Sequence, residues 1–400
     1  MNPLLQQLHP YPFEKLGALK TNITPPPALE HIALSIGEPK HEPPAHVLNR
    51  LSEQLSKVAH YPSTKGLPEL RSAMAAWASK RFNLTNGSLS PDDNILPVNG
   101  TREALFAFVQ ASINSNSLQK PKVLMPNPFY QIYEGAALLA GAEPVFLNCT
   151  PENGFQPDYS LIDDDTWRDC QLLFICTPGN PTGAVMSIEQ LQALIQLADE
   201  HDFIIASDEC YSELYFDEAN PPAGLLQACA NMARDNFERC IVFHSLSKRS
   251  NLPGLRSGFV AGDKNLLAPF FQYRTYHGSA MPVHTQLASI AAWQDEAHVK
   301  SNRDLYRKKF ECVLRILGDS LRVERPEASF YLWAETPIAD TEFAQRLFAE
   351  YNITVLPGSY LARDTENGNP GKNRIRMALV ASLEECEQAA IRIRDFCQQL

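Results

Sequence analysis

The chain has no C-x-x-C pair, no G-x-G-x-x-G, no G-x-S-x-G and no complete Walker loop. Those absences remove the best sequence support for a zinc knuckle, for dinucleotide-dependent hydride transfer, for the common serine hydrolase and for nucleotide hydrolysis. Gly371-Lys372 lacks both the earlier glycine and the following Ser or Thr. In His41-Glu42-Pro43-Pro44-Ala45-His46 the histidines are separated by two prolines, so a helical zinc pair is impossible and no metal is expected. No segment approaches the roughly 18 apolar residues of a membrane span. The first ten residues carry no basic cluster leading into an apolar stretch, and a cytoplasmic protein is expected. Positive charge is scarce: 35 Lys+Arg against 46 Asp+Glu leave a net charge of −11. That field repels a phosphate backbone and argues against nucleic acid as a partner. The nine cysteines, an odd number without paired spacing, fit reduced and mostly buried thiols.

What is present is a chain of 400 residues, 44% apolar and 20% charged, enough for a large core split into about two or three domains. Prolines outnumber glycines, 30 to 19, and cluster at Pro25-Pro26-Pro27 and from Pro39 to Pro44, so the first forty residues read as an extended arm. Helical patterns follow at about 44–59, 67–82, 101–113, 129–140 and 187–199. Between them and beyond lie the runs Ile95 to Val98, Lys122 to Met125, Pro144 to Leu147, Leu172 to Cys176, Phe203 to Ala206, Cys240 to Phe243 and Gly258 to Ala261. These are mostly continuous in apolar residues, as strands covered on both faces of a parallel sheet are. A long helical stretch near 282–317 gives way to Ser329 to Trp333, Ile353 to Leu356 and Ile375 to Leu379, each followed by helix-like sequence, with a last helix from Leu383. The expected architecture is α/β: a large domain at 43–290 with a mostly parallel sheet covered by helices, a smaller α+β domain at 291–400, and residues 1–42 as arm and part of the small domain.

In an open parallel sheet ligands bind beyond the carboxyl ends of the strands, so the polar residues after each apolar run carry the information. They are Asn99-Gly100-Thr101-Arg102-Glu103, Pro126-Asn127-Pro128-Phe129-Tyr130, Asn180-Pro181-Thr182-Gly183, Asp208-Glu209-Cys210-Tyr211 and Ser245-Leu246-Ser247-Lys248, with Arg256 further on. Singly, each has an ordinary explanation as a turn, a helix cap, a core ring or a solvated lysine. Together they place a phosphate cradle, an aromatic plate, an acid, a phenol and a lysine at one edge of one sheet. That set suits a phosphorylated heteroaromatic aldehyde, which needs a lysine for its aldehyde and an acid for its ring nitrogen. Pyridoxal 5′-phosphate is the expected cofactor.

With Gly37-Glu38-Pro39, Tyr61-Pro62 to Gly66, Arg71 and Arg376 added, the order and spacing resemble the class I/II aminotransferases of the fold-type I pyridoxal-phosphate enzymes over essentially the whole chain. Tyr11-Pro12-Phe13-Glu14-Lys15-Leu16, Leu356-Pro357-Gly358-Ser359-Tyr360-Leu361-Ala362-Arg363 and Asn369-Pro370-Gly371 are similar, more narrowly, to the N-succinyldiaminopimelate aminotransferases of bacterial lysine biosynthesis.

The resemblance implies that Lys248 bonds the cofactor's aldehyde and then moves the proton between substrate α-carbon and cofactor. Asp208 would keep the pyridine nitrogen protonated, Tyr211 and Asn180 would hydrogen-bond the phenolic oxygen, and Tyr130 would stack on the ring. The phosphate would be held by Thr101 and Arg102 at a helix N-terminus, by Ser245, Ser247 and Arg256, and by Tyr61 of a neighbouring subunit. Arg376 would grip the substrate α-carboxylate, helped by the Gly37 backbone and the Asn180 amide. Arg363 and His277-Gly278-Ser279 are candidates for further cationic contacts.

A homodimer with shared sites follows from the Tyr61 segment, and the substrates would be an amino acid and a 2-oxo acid. The narrower resemblance points to glutamate and N-succinyl-2-amino-6-oxopimelate. Open beside it stand an aspartate, aromatic or acetylornithine-type aminotransferase, a β-lyase of the same fold and, more distantly, a non-catalytic cofactor-binding regulator.

Overall fold

The computed structural model describes residues 1–400. Twelve strands form three sheets: β1 (Ile32–Ala33), β2 (Ile95–Val98), β3 (Lys122–Asn127), β4 (Glu143–Asn148), β5 (Cys170–Cys176), β6 (Ile204–Asp208), β7 (Cys240–Ser245), β8 (Gly258–Gly262), β9 (Tyr331–Glu335), β10 (Ile353–Thr354), β11 (Leu356–Pro357) and β12 (Arg374–Ala378). The large sheet has seven strands in the order β2-β8-β7-β6-β5-β3-β4. Neighbours are parallel except at β8, which runs antiparallel to both β2 and β7. A continuous apolar run does not report direction; the sheet is mostly parallel, as expected, with β8 its one antiparallel strand. The chain between β7 and β8 is spent on the short helix Leu246–Arg249 and the turn Pro253–Leu255. It has no crossover helix with which to return a parallel strand.

Alternate residues of the central strands enter two separate cores. Leu173, Ile175, Ile205 and Val242 pack on one face with Trp77, Leu194 and Trp293. Leu172, Phe174, Ala206, Ile241 and Phe243 pack on the other with Phe108, Tyr133 and Phe270. Both faces are therefore dry, as the unbroken apolar runs require. A third core gathers Ile32 and Leu34 with Phe310, Leu347, Ile375, Ile393 and Phe396 around the small sheets β11-β12-β9 and β1-β10.

Several elements depart from the sequence reading. Residues 1–40 are not an extended arm throughout: Pro12–Leu19 is a helix whose Glu14 carboxylate accepts from the Tyr11 N–H at 3.2 Å, and its Leu16 is buried with Trp333, Leu356 and Leu361. Proline at the first helical position starts this helix rather than breaking it. The pattern at 44–59 is a helix only over Ala45–Glu53, continued by a 3-10 turn at Leu55–Ala59. The stretch near 282–317 is two helices, Val283–Gln294 and Ala297–Leu317, parted at Asp295-Glu296. Ile353 to Leu356 divides between two sheets. The helices Asp164–Asp169, Leu225–Asn231 and Lys264–His277 had no expectation attached to them.

Candidate active site

The carboxyl ends of the large sheet's parallel strands converge on a cleft of about 560 Å³ whose wall includes every expected site residue except Tyr61. That size suits a cofactor together with a small substrate. Beyond β2, Gly100 adopts φ 83° and the helix Thr101–Ser112 begins. A side chain at Gly100 would collide with the Arg256 guanidinium, which donates to the carbonyls of Pro253 (2.9 Å) and Asn99 (3.3 Å). Arg256 is thus pinned over free helix N–H groups. At the end of β7, Ser245 caps the lysine helix by accepting from Ser247 N–H at 3.0 Å, and the two hydroxyls are 2.9 Å apart. Helix N-terminus, two hydroxyls and a guanidinium make a concave anion cradle.

Lys248 lies on that short helix with its amine against the Gly37 carbonyl and 5.3 Å from the centre of the Phe330 ring. No carboxylate pairs with it. Burial lowers its pKa to about 8, opposed by Cys210 and assisted by Arg376. At the end of β6, Asp208 is buried, and burial pushes its pKa up. The Cys210 thiol opposes that first, then Tyr133 Oη at 2.7 Å from Oδ2 and the Cys210 N–H at 3.2 Å from Oδ1. The Tyr211 phenol is held well above its ordinary range, first by burial and then by Tyr331 beside it. Thr101 Oγ1 lies 3.1 Å from Cys210 Sγ between the cradle and Asp208.

The opposite wall comes from the small sheets and the segment after β1. Arg376 on β12 is buried and donates to Asn180 Oδ1 (3.0 Å) and Ser35 O (2.7 Å), while its Nε has no partner. Gly37, in the segment after β1, lines the same cleft. Arg102 turns its guanidinium away from the helix N-terminus, donating to Tyr130 Oη (2.7 Å) and Tyr11 Oη (3.4 Å), and has no carboxylate partner. Only its backbone N–H can belong to the cradle.

The cleft lining carries Arg102, Lys248, Arg256 and Arg376 against Glu38 and Asp208, an excess of positive charge within a chain of net charge −11. Such a site collects phosphate and carboxylate groups. Tyr61 is fully exposed and outside this cleft. Its loop is held by buried Arg71, which donates to Gly66 O at 2.7 Å and Asp92 at 2.6 Å. Arg363 is committed to Glu134 through two bonds, 2.8 and 2.5 Å, and His277 lies beside Glu103 at 3.7 Å. Neither reaches the cleft wall. Outside the cleft, ligand atoms of His46, Asp295 and His298 lie within 4.8 Å of one another, but both His298 nitrogens are already bonded, to Asp295 and to Ser250. The sequence reading did not find Tyr11, Tyr133, Cys210 or Tyr331 as site residues. Tyr11, Cys210 and Tyr331 line the cleft, and Tyr133 reaches Asp208 from the core. Only Tyr11 and Cys210 stood inside quoted motifs; Tyr133 lay unremarked in the helical pattern at 129–140 and Tyr331 in the run Ser329 to Trp333.

An unpaired lysine, a buried acid without a cation, a phenol and an anion cradle at the switch edge of a mostly parallel sheet match the donor set of pyridoxal phosphate group by group. This is the constellation of a pyridoxal-phosphate enzyme. The family model described as "Aminotransferase class I and II" matches residues 30–393. The chain belongs to that family and is a pyridoxal-phosphate-dependent aminotransferase. It is 32% identical over 396 residues to the LL-diaminopimelate aminotransferase of Syntrophobacter fumaroxidans, covering 98% of this chain and 97% of the relative. Among solved structures it is similar to an aminotransferase from Neisseria meningitidis Z2491, with TM-score 0.94 and 50% identity over 99% of this chain and all (100%) of that one. The aminotransferase AspB of Helicobacter pylori 26695 is also similar, with TM-score 0.88 and 35% identity over 98% of this chain and 100% of that one.

Proposed function

We propose that this aminotransferase exchanges the amino group of glutamate with the side-chain keto group of N-succinyl-2-amino-6-oxopimelate, yielding N-succinyl-LL-2,6-diaminopimelate and 2-oxoglutarate. The observation that carries the reading is the cationic cleft, lined by both buried Arg376 and an Arg102 without a carboxylate partner in an acidic protein. Every substrate of this reaction carries at least two carboxylates, so each brings one for Arg376 and another for a second cation. A second reading, with unsubstituted LL-diaminopimelate, is favoured by the names of the curated relatives. Half-reactions with the two amino donors separate them: the better substrate converts the bound aldehyde to the amine with the higher kcat/KM. If neither donor does so while aspartate or an aromatic amino acid does, the diaminopimelate reading falls.

When bound, the cofactor supplies an electron-accepting ring for the charge left at the substrate α-carbon. Lys248 would be its attachment point and then the base that takes the α-proton and returns it at the neighbouring carbon. Its lowered pKa, about 8, supports this, since an amine near neutrality both accepts and gives up a proton. Asp208 would hold the ring nitrogen, and the Tyr133 and Cys210 donors that favour its ionised form support that role. Tyr211 and Asn180 would bind the phenolic oxygen, Tyr130 would cover the ring, and Thr101, Ser245, Ser247 and Arg256 would hold the phosphate with the Arg102 backbone. The Asn180 amide and the Gly37 backbone would join Arg376 at the α-carboxylate. The side chain of Arg102, with Tyr11, is assigned to the distal carboxylate.

Complete exposure of Tyr61, beside exposed Leu55 and Val58, supports a homodimer in which this segment completes the partner's cradle. Separate apolar cores support a division into a large domain at 43–290 and a small one at 291–400 joined by part of residues 1–42.

A further inference from the structure

Tyr331 stands where three residues of the proposed site meet. It opens β9 next to β12, two residues before Trp333, which pairs with Arg376, so Tyr331 and Arg376 project diagonally on one face of the sheet. The guanidinium carbon of Arg376 lies 4.4 Å from the centre of the Tyr331 ring. Its hydroxyl is 3.0 Å from that of Tyr211, and either can be the donor. It also fills the space a side chain at residue 37 would need, so only glycine fits there. Tyr331 is 3% exposed, yet its surface borders the cleft.

We propose that Tyr331 is a positioning residue coupling the carboxylate grip to the phenol at the cofactor's oxygen: its ring is the platform for Arg376 and its hydroxyl donates to Tyr211. This rests on the roles given above to Tyr211 and Arg376. A phenol has one proton and two lone pairs. Once Tyr211 spends its proton on the cofactor's phenolic oxygen, the 3.0 Å bond must run from Tyr331 to Tyr211. A donor on the Tyr211 oxygen polarises its O–H and makes it the better donor in turn. The ring acts differently: its electron-rich face holds the guanidinium plane while two of its nitrogens are fixed by Asn180 and Ser35. Removing the hydroxyl therefore disturbs the cofactor's oxygen and spares the grip, whereas removing the ring disturbs both.

The test uses holoenzyme variants and two readouts, the pH at which the visible band of the bound cofactor changes and the dissociation constant of glutarate, a dicarboxylate without an amino group. Tyr331→Phe is expected to raise the band's transition by about half to one pH unit, because less donation to the phenolic oxygen favours its protonated form. Glutarate affinity in that variant should stay within about twofold of wild type. Tyr331→Leu is expected to shift the band likewise and to weaken glutarate by about threefold to thirtyfold. An unmoved transition in Tyr331→Phe, or wild-type glutarate affinity in Tyr331→Leu, overturns the coupling. Tyr211→Phe and Arg376→Ala are measured alongside. If Tyr211→Phe leaves the band unmoved or Arg376→Ala leaves glutarate binding intact, the underlying assignment of Tyr211 or Arg376 has failed instead.

Discussion

The Tyr133 hydroxyl donates a 2.7 Å hydrogen bond to Asp208 Oδ2 at the buried end of β6. Tyr133 is itself fixed, its ring stacked on Phe174 with centroids 4.3 Å apart. A buried carboxylate with no cation beside it tends toward its neutral form, and here burial does raise the pKa of Asp208. The bond from Tyr133 stabilises the ionised form by about 1.5–3 kcal/mol, the range for hydrogen bonds to charged groups. Tyr133→Phe keeps the ring and removes the donor, so Asp208 becomes more basic and, in its proposed role at the cofactor's ring nitrogen, should draw the proton from it. Nitrogen-15 NMR of ring-labelled cofactor should show the signal moving toward the unprotonated position, with kcat reduced by about tenfold or more. An unmoved signal would show that Tyr133 is structural only.

Lys248 gives a pH dependence of definite sign. Its amine titrates at about 8 in the folded chain against 10.5 in an unperturbed lysine. The neutral amine is the nucleophile, so cofactor attachment to the apoprotein should accelerate with pH and level off above about 8. A folded-state pKa below the unfolded one means that burying the charged amine costs stability below pH 8, a cost relieved as pH rises toward 10.5. Apo Lys248→Met should therefore melt above wild type at pH 7, and the gap should narrow by pH 10 in thermal scans.

In its proposed role Arg376 grips the α-carboxylate that donor and acceptor share, and Arg376→Ala removes that grip. The half-saturating concentration should rise about 100-fold or more for both substrates, in steady-state kinetics with each varied in turn. A rise for one substrate alone would remove Arg376 from the α-carboxylate.

Sharing of sites across a dimer is tested by complementation. Lys248→Ala and Tyr61→Ala chains, each inactive or nearly so alone, are unfolded together and refolded. Hybrid dimers then hold one site with both defects and one with neither, so activity should reappear. Failure to recover it, with dimers shown by sedimentation, would place Tyr61 outside the partner's site.

The large sheet was legible because its central strands are buried on both faces, and runs such as Leu172 to Cys176 have no polar interruption. The direction of β8 was not, since it depends on how the chain between Ser245 and Gly258 is spent. The helix at Pro12–Leu19 was hidden by prolines around it, although Glu14 in its first turn accepts from the Tyr11 N–H. At the site, residues following strands could be read because topology brings strand ends together. The side-chain direction of Arg102 could not, since it is decided by Tyr11 and Tyr130 rather than by helix position. Tyr133 and Tyr331 were invisible for a related reason. Each is a buried aromatic whose ring packs as any core ring does, and only the hydroxyl's partner, Asp208 or Tyr211, distinguishes it.

The central claim is that one lysine carries the cofactor. Borohydride treatment of the holoenzyme, which makes a lysine-bound cofactor permanent, followed by peptide mass mapping, tests it directly. The pyridoxyl mass is expected on Lys248 alone, with activity lost in proportion; the label on another lysine, or an unmodified and still active protein, would contradict the account.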